Sequence, residues 1–362
     1  MELKATPLVE EHKKLGAKLA PFGGWLMPIE YSDIISEHKW TRSSCSLFDI
    51  CHMGEFFIYG DPKENNLDKI LTIDLNRMQN GSCRYGFMLD ENGGILDDVI
   101  TYRIKDDEWM LVVNAATAQA DQLHIERHIS KDCKFQNLSD KLGKLDLQGP
   151  LSRDVLISLF GDGINQLDYY RFGYFSMLGE ENIISRTGYT GELGYELYIS
   201  TEKIGELWNL LLNNDKVKPA GLGARDTLRL EMCYPLYGQD ISRHIFPTQT
   251  DFDRAVDFNK DFIGKSALKQ QTRSNSIKKL SYFLADSRRA PRHGYKIYDE
   301  DKEIGFITSG SFSPSLLCGI GIGYIDASHK RTGESVLIKD GKVEIKATIA
   351  DKPFYKKGSI RS

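Results

Sequence analysis

The chain has 362 residues, of which 41% are hydrophobic and 27% charged, with a net charge of −4 and a pI of about 6.1. That length exceeds what one hydrophobic core usually supports and predicts two or three domains. The charge balance excludes a global basic field for nucleic acid, and no run of about 18 apolar residues is present to span a membrane.

The start, MELKATPLVEEHKKLG, is amphipathic and lacks the apolar core of a secretory signal, so a cytoplasmic setting is expected. Residues 8–19 carry Leu8, Val9, Leu15 and Leu19 between charges and predict a short helix running through Gly16. RYGFMLD, ILDDVITYRI and EWMLVVNA, separated by the turns ENGG and KDD, predict three strands of an antiparallel meander. TAQADQLHIERHI then predicts a helix with Ala120, Leu123 and Ile129 on its inner side and a solvated face holding His124 and His128.

SRTGYTGELGYELYIS predicts a glycine-punctuated loop entering a strand at 195–199. Thr201 is expected to cap a helix whose Ile204, Leu207, Trp208 and Leu211 recur at i, i+3, i+4 and i+7. Another helix begins near GLGARDTLRLEM, and a polar stretch around 270–278 is the best linker candidate. Beyond it, short strands and turns predict a small all-β domain, barrel or sandwich, after an α+β region.

The six cysteines are scattered without a C-x-x-C pair, which predicts reduced thiols. Cys51 beside His52 lacks a second ligand pair at zinc spacing. HIERH lacks a glutamate directly after its first histidine, so no metal is expected.

Three places carry polar groups where a buried face is predicted. In ILDDVITY, strand alternation puts Asp97 and Asp98 on opposite faces, Asp98 with Ile100 and Tyr102, and one of the two toward water near the turn. A turn-capping aspartate and a working carboxylate both fit that spacing. Alternation also places Glu196 with Tyr198 and Gly194, either as a surface residue or as a carboxylate seeking a planar pair of donors. Arg225 sits in the first turn of its helix against the macrodipole, which calls for a nearby anion: Asp226 locally, or an anionic ligand.

From residue 6 to 316 the stretches TPLVEEHKKLGAKLAPFGGWLMPIEYSD, SLFDICHMGEF, ENGGILDDVITY, LVVNAA, LQGP, SRTGYTGELGYEL, PAGLGARDTLRLEMCYPLYGQD, NKDFIGKSAL and TSGSFSPSL occur in order. Together they resemble the aminomethyltransferases, the T-proteins of the glycine cleavage system. The resemblance implies an α+β, three-domain cloverleaf with a C-terminal all-β, barrel- or jelly-roll-like domain. It implies a first domain over 1–50 plus 225–275 and a ferredoxin-like folate-site domain over 51–224 with a short crossover near 140–150. The β domain would cover 279–362.

It further implies that tetrahydrofolate is the acceptor substrate, with no metal, and that the donor is an aminomethyl group on the lipoyl arm of a carrier, the H-protein. Ammonia and 5,10-methylenetetrahydrofolate are the implied products. Asp98 matches the catalytic aspartate and Glu196 the pterin-binding glutamate. Arg225 would meet the folate's anionic side. Tyr85, Asn114, Tyr189, Tyr234 and Met53 match positions lining the same cavity, and Arg361 matches a C-terminal arginine near the folate tail.

The chain departs from the pattern at Cys51, which replaces a serine, and in one segment, where Gln249 replaces a glutamate, Asp251 a glycine and Arg254 a tryptophan. Changes in that segment are expected to alter donor access or the carrier docking surface and to leave the folate pocket intact. The rival readings are a folate-dependent demethylase of small methylated compounds on the same fold, and a non-catalytic folate-binding accessory protein. The latter is disfavoured by the missing cysteine in NKDFIGKSAL.

Overall fold

Local chemistry sets the first elements. β1 (Lys4–Ala5) precedes α1 (Val9–Lys14), which is shorter than its periodicity predicts. Gly16, at φ +73°, turns left-handed and stops the helix, and the chain reverses into β2 (Lys18–Phe22) and β3 (Trp25–Glu30). These strands form a three-stranded sheet ordered β1-β3-β2. Asp33 caps α2 (Ile34–Ser43) by accepting from the Ser36 N–H at 2.9 Å. β4 (Cys45–Asp49), β5 (Gly54–Tyr59) and α3 (Leu67–Ile70) follow.

The computed structural model describes residues 3–271 and 277–362, so the linker expected around 270–278 lies largely outside the described residues. The chain divides into two units, one of residues 1–86, 97–225 and 358–362, the other of 87–96 and 226–357.

The predicted meander is β6 (Ser82–Leu89), β7 (Ile95–Lys105) and β8 (Glu108–Val113). With β9 (Phe135–Asn137) at its far edge, it completes a five-stranded sheet ordered β6-β7-β8-β5-β9. The helix that follows, α4 (Ala118–His128), faces the other way from the expectation. Asp121, His124 and Ile125 are buried, whereas Leu123 is 57% exposed. His124 is therefore not on a solvated face; its ring centre lies 4.4 Å from that of His128, the two planes tilted by 46°.

Next come β10 (Leu142–Gln148), α5 (Ser152–Phe160), β11 (Phe172–Met177), β12 (Glu180–Ser185), β13 (Gly194–Ser200), α6 (Ile204–Leu212) and β14 (Val217–Pro219). The strands build a six-stranded sheet, β11-β12-β13-β10-β4-β14. Its outer face is covered by α5 and α6, where Ile204, Leu207, Trp208 and Leu211 pack on Leu145, Leu147 and Leu197. Burial of each such side chain contributes about 1.5–3 kcal/mol. Thr201 is not the cap of α6. Lys203 holds that position, and the Thr201 hydroxyl donates to the Asp140 carbonyl. The inner face of this sheet meets the five-stranded sheet through Tyr102, Met110 and Val112 on one side and Phe172, Ile183 and Tyr198 on the other.

In the second unit, after α7 (Leu222–Glu231), which begins in the first, come α8 (Lys265–Gln271) and six strands. β15 (Lys278–Ala285), β16 (Lys296–Asp299), β17 (Lys302–Ser313), β18 (Cys318–Asp326), β19 (Ser335–Asp340) and β20 (Val343–Ala350) close into a barrel ordered β15-β18-β17-β16-β19-β20. Alternation sends Val336 and Ile338 inward against Ile345, Ala347 and Ile349. Among the described residues no helix is long and apolar enough to cross a membrane.

Candidate active site

The pleat of β7 separates its two aspartates as alternation requires, but neither faces water near the turn. Asp97 is wholly buried and Asp98 half-buried. β8 ends at Val113, and Asp97 Oδ2 accepts the next N–H, that of Asn114, at 2.9 Å. The Asn114 carboxamide Nδ2 then donates to Asp97 Oδ1 and Asp98 Oδ1, both at 2.8 Å. One amide thus clamps both carboxyl groups. On Asp98's other oxygen the Tyr85 hydroxyl donates at 3.1 Å. Burial first, then the charge of Asp97, pushes Asp98 up to about 7, against the pull of the Tyr85 and Asn114 hydrogen bonds.

Four residues along the same face of β7, about 13 Å of extended chain, stands Tyr102. Its hydroxyl donates to Glu196 Oε2 at 3.3 Å, and the Tyr198 hydroxyl reaches the same oxygen at 3.2 Å. Glu196 is 9% exposed, and no cation among the described residues pairs with it. A buried carboxylate with two neutral donors on one oxygen has capacity for further donors on the other.

Directly across from Glu196, β10 presents Asp146. Arg225 Nη1 donates to Asp146 Oδ2 at 2.5 Å, and its guanidinium lies 5.0 Å from the centre of the Tyr189 ring. Burial lifts Asp146 to about 6, opposed by Arg225 and reinforced by Glu196. The anion near Arg225 is thus Asp146. The local candidate, Asp226, instead bonds Arg229 at 2.8 Å. The glycines of TGYTGELG serve a neighbour: a Cβ at Gly188 or Gly194 would overlap the Gln148 carboxamide. Gln148 uses that space to bond the Thr187 carbonyl and the Thr190 hydroxyl, which holds the loop carrying Tyr189.

The structure therefore groups Asp98, Tyr85 and Asn114 at one end of the β7 face and Glu196 at its Tyr102 end, with Arg225 on Asp146 across from Glu196 and Tyr189 near both Arg225 and Tyr85. Met53 packs with Tyr102 and Ile100 between the sheets. Tyr234 belongs to the second unit, half-buried, and Arg361 is exposed in the tail 358–362.

Four residues were missed by sequence reasoning: Asp146, Gln148, Lys144 and Glu55. KLDLQ carried a signal, since alternation opposes Lys144, Asp146 and Gln148 to Leu145 and Leu147. Lys144 Nζ lies 3.9 Å from Glu55 Oε1, both side chains are buried, and none of their charged atoms has a hydrogen-bond partner among the described residues. Burial pushes Glu55 up to about 8 despite Lys144.

In the second unit the divergent segment has structural partners. Gln249 accepts from the Phe246 N–H at 3.0 Å and donates to the Lys278 carbonyl at 3.2 Å. Asp251 pairs with Lys330 at 2.6 Å, while Arg254 is exposed. The six cysteines are free thiols, and among the described residues no group of three or more His, Cys, Asp or Glu is arranged for a metal.

A family model described as the GCVT N-terminal domain matches residues 8–260, and one described as the glycine cleavage T-protein C-terminal barrel domain matches 278–356. The aminomethyltransferase of Halothermothrix orenii is 42% identical over 356 residues, 97% of this chain and 100% of that protein. The aminomethyltransferase of Halalkalibacterium halodurans is 38% identical over 363 residues, covering 99% of this chain and 100% of its own. The crystal structure of the glycine cleavage system aminomethyltransferase T from Bartonella henselae matches with a TM-score of 0.92 at 32% identity, covering 99% of both chains. The expected fold class, α+β with a terminal β-barrel, is the fold this chain has. The chain belongs to the aminomethyltransferase family, the T-proteins of the glycine cleavage system.

Proposed function

We propose that the protein transfers the methylene carbon of an aminomethyl group, carried on the lipoyl arm of an H-protein, to tetrahydrofolate. Two bonds of that carbon break, to the ammonia nitrogen and to the lipoyl sulfur. Two form, to N5 and N10 of the folate, and the two displaced N–H protons leave on ammonia and on the sulfur. The observation that carries this reading is a pair of carboxyl groups served by one strand face: Asp98 on β7 itself, and Glu196 held through Tyr102.

A reduced pterin displays a 2-amino group and an adjacent ring N–H along one edge, and a carboxylate accepts both with charge-assisted bonds. Glu196, with its Oε2 already held by two hydroxyls, fits that edge through Oε1. Tyr189 and Tyr85 supply flat apolar area. Arg225, fixed by Asp146 on one amino group, keeps further donors for a glutamyl carboxylate. Asp98 as carboxylate receives the proton leaving the folate nitrogen and balances positive charge developing on the transferred carbon. Met53, Asn114 and Arg361 complete the folate-binding set proposed for the first unit, Asn114 through its hold on Asp98.

The test is ammonia release from an aminomethylated carrier in the presence of tetrahydrofolate, with methylated small molecules offered as competing donors. Release that requires both carrier and folate supports the assignment. Faster turnover of a methyl donor, or folate binding without any transfer, would replace it with one of the rival readings.

A further inference from the structure

Helix α4 turns two ionisable side chains inward, Asp121 at 1% exposure and His124 at 9%. A carboxyl group buried without a cation is costly unless it is neutral or hydrogen-bonded. Asp121 Oδ2 is a buried oxygen with no donor among the described residues, and the Asp97 carboxyl acts on the same side chain, so a proton on Asp121 directed at Asp97 relieves both. Two carboxyl groups in contact in a desolvated place hold one proton between them. Burial first, and then the negative charge of Asp97, keeps that proton on Asp121. Asp97 then has the Asn114 N–H, the Asn114 amide, the Asp121 carboxyl and the Thr117 hydroxyl against it.

The Asn114 amide is the hinge of the arrangement. Its Nδ2 is aimed by Asp97 Oδ1, and from that position it holds Asp98 Oδ1. We propose that Asp121 is a positioning residue for the transfer: its carboxyl hydrogen fixes Asp97, Asp97 fixes the Asn114 amide, and the amide fixes Asp98. This deepens the assignment of Asp98 above and rests on it. The groups facing Asp98 are Asp97 on its own strand, Tyr85 on β6 and Asn114 after β8, with Asp121 behind Asp97 on α4. Tyr189 and Tyr170 act on Tyr85, and His124 is the next inward residue of α4.

The experiment compares Asp121→Ala and Asp121→Asn in the full chain. An asparagine amide donates to Asp97 as the carboxyl hydrogen does; alanine cannot. We expect Asp121→Ala to lose about tenfold or more in kcat with folate affinity held within about twofold, and Asp121→Asn to recover most of the loss. In the alanine variant the proton passes to Asp97, which removes a negative charge beside Asp98. The acid limb of its kcat profile should therefore move to lower pH by about one unit, while the asparagine variant keeps the wild-type limb.

A second readout needs no turnover. At about pH 9, Asp98 and Glu55, raised to about 7 and about 8, are ionised. The infrared carbonyl band of a neutral carboxyl group should persist there in wild type and vanish in Asp121→Asn. An unchanged band overturns the proposal, as does Asp121→Ala with wild-type kcat and acid limb. A wild type that releases no ammonia would instead remove the functional reading and leave the infrared result standing. Should the alanine variant fail to fold, the asparagine band decides alone.

Discussion

The barrel of the second unit and the layer between the two sheets of the first are both interiors walled by β-strands, yet their fillings differ. The barrel holds Phe283, Ile297, Ile304, Ile307, Ile325, Ile338 and Ile345, a dry packing of branched side chains. The layer holds Asp98, Glu196, Asp146, Lys144 and Glu55 among tyrosines. An apolar interior is stabilised by burial alone. A polar one is held only while each charge has a donor, a counter-charge or a proton, and here all three devices occur within one layer. The contrast separates what keeps the protein folded from what lets it act, and it can be attacked from either side.

The largest effect is expected at Asp98. Asp98→Asn keeps the shape and the Asn114 and Tyr85 contacts but loses the base, so turnover should fall about 10²–10⁴-fold with folate affinity nearly unchanged. Undiminished turnover would remove Asp98 from the chemistry. In wild type the working form is the carboxylate. With the group raised to about 7, turnover should fall as pH drops through that value, and Asp98→Asn should lack this limb.

From the other side, Ile338→Ala opens a hole between Ile297 and Ile345, its neighbours on β16 and β20. A loss of about 2–5 kcal/mol is expected, read as faster amide exchange in peptides covering 335–350, with no change in turnover by the folded protein. A turnover defect at constant exchange would break the division of labour.

The layer also has a binding end. Glu196→Gln should weaken tetrahydrofolate about 10–100-fold, because a charge-assisted pair of bonds becomes one neutral acceptor facing an amide donor. Ultraviolet difference titration measures it. Equal affinity would move the pterin edge elsewhere.

How legible these two interiors were in the sequence follows from the same contrast. The barrel strands announce themselves by alternation, as in SVLIKD and VEIKATIA, because a dry interior selects on hydrophobicity alone. Asp98 and Glu196 were readable in part: alternation gave their faces, and only the resemblance gave their roles. Asp146, the partner of Arg225, lies 79 residues away, and no local pattern marks a pair at that distance. α4 misled because its buried face is chosen by Asp97, which needs Asp121, and not by Leu123, which the helix leaves outside. α1 misled for a smaller reason, a glycine whose left-handed turn outweighs two matching leucines.

The smallest expected effect tests the least satisfied part of the layer, Lys144 beside Glu55. Removing one partner of a buried ion pair ordinarily strands the other charge and costs about 3–5 kcal/mol. Glu55 has an escape, because its folded-state value of about 8 leaves it protonated at neutral pH. Lys144→Met should therefore be neutral or stabilising at pH 7, by about 1–4 kcal/mol at most, since a methionine fills the space without an unpaired ammonium. The pH dependence fixes the sign. A carboxyl whose folded value is raised contributes stability fully present below its unfolded value and lost as pH rises through the folded one. Without Lys144 the folded value rises further, so any advantage of the variant should shrink from about pH 8 upward, where wild-type Glu55 ionises against its lysine. Urea unfolding at several pH values measures this. A variant already destabilised at pH 7 would mean that Glu55 is charged in the folded protein, and that the layer holds an ion pair there instead of a neutral acid.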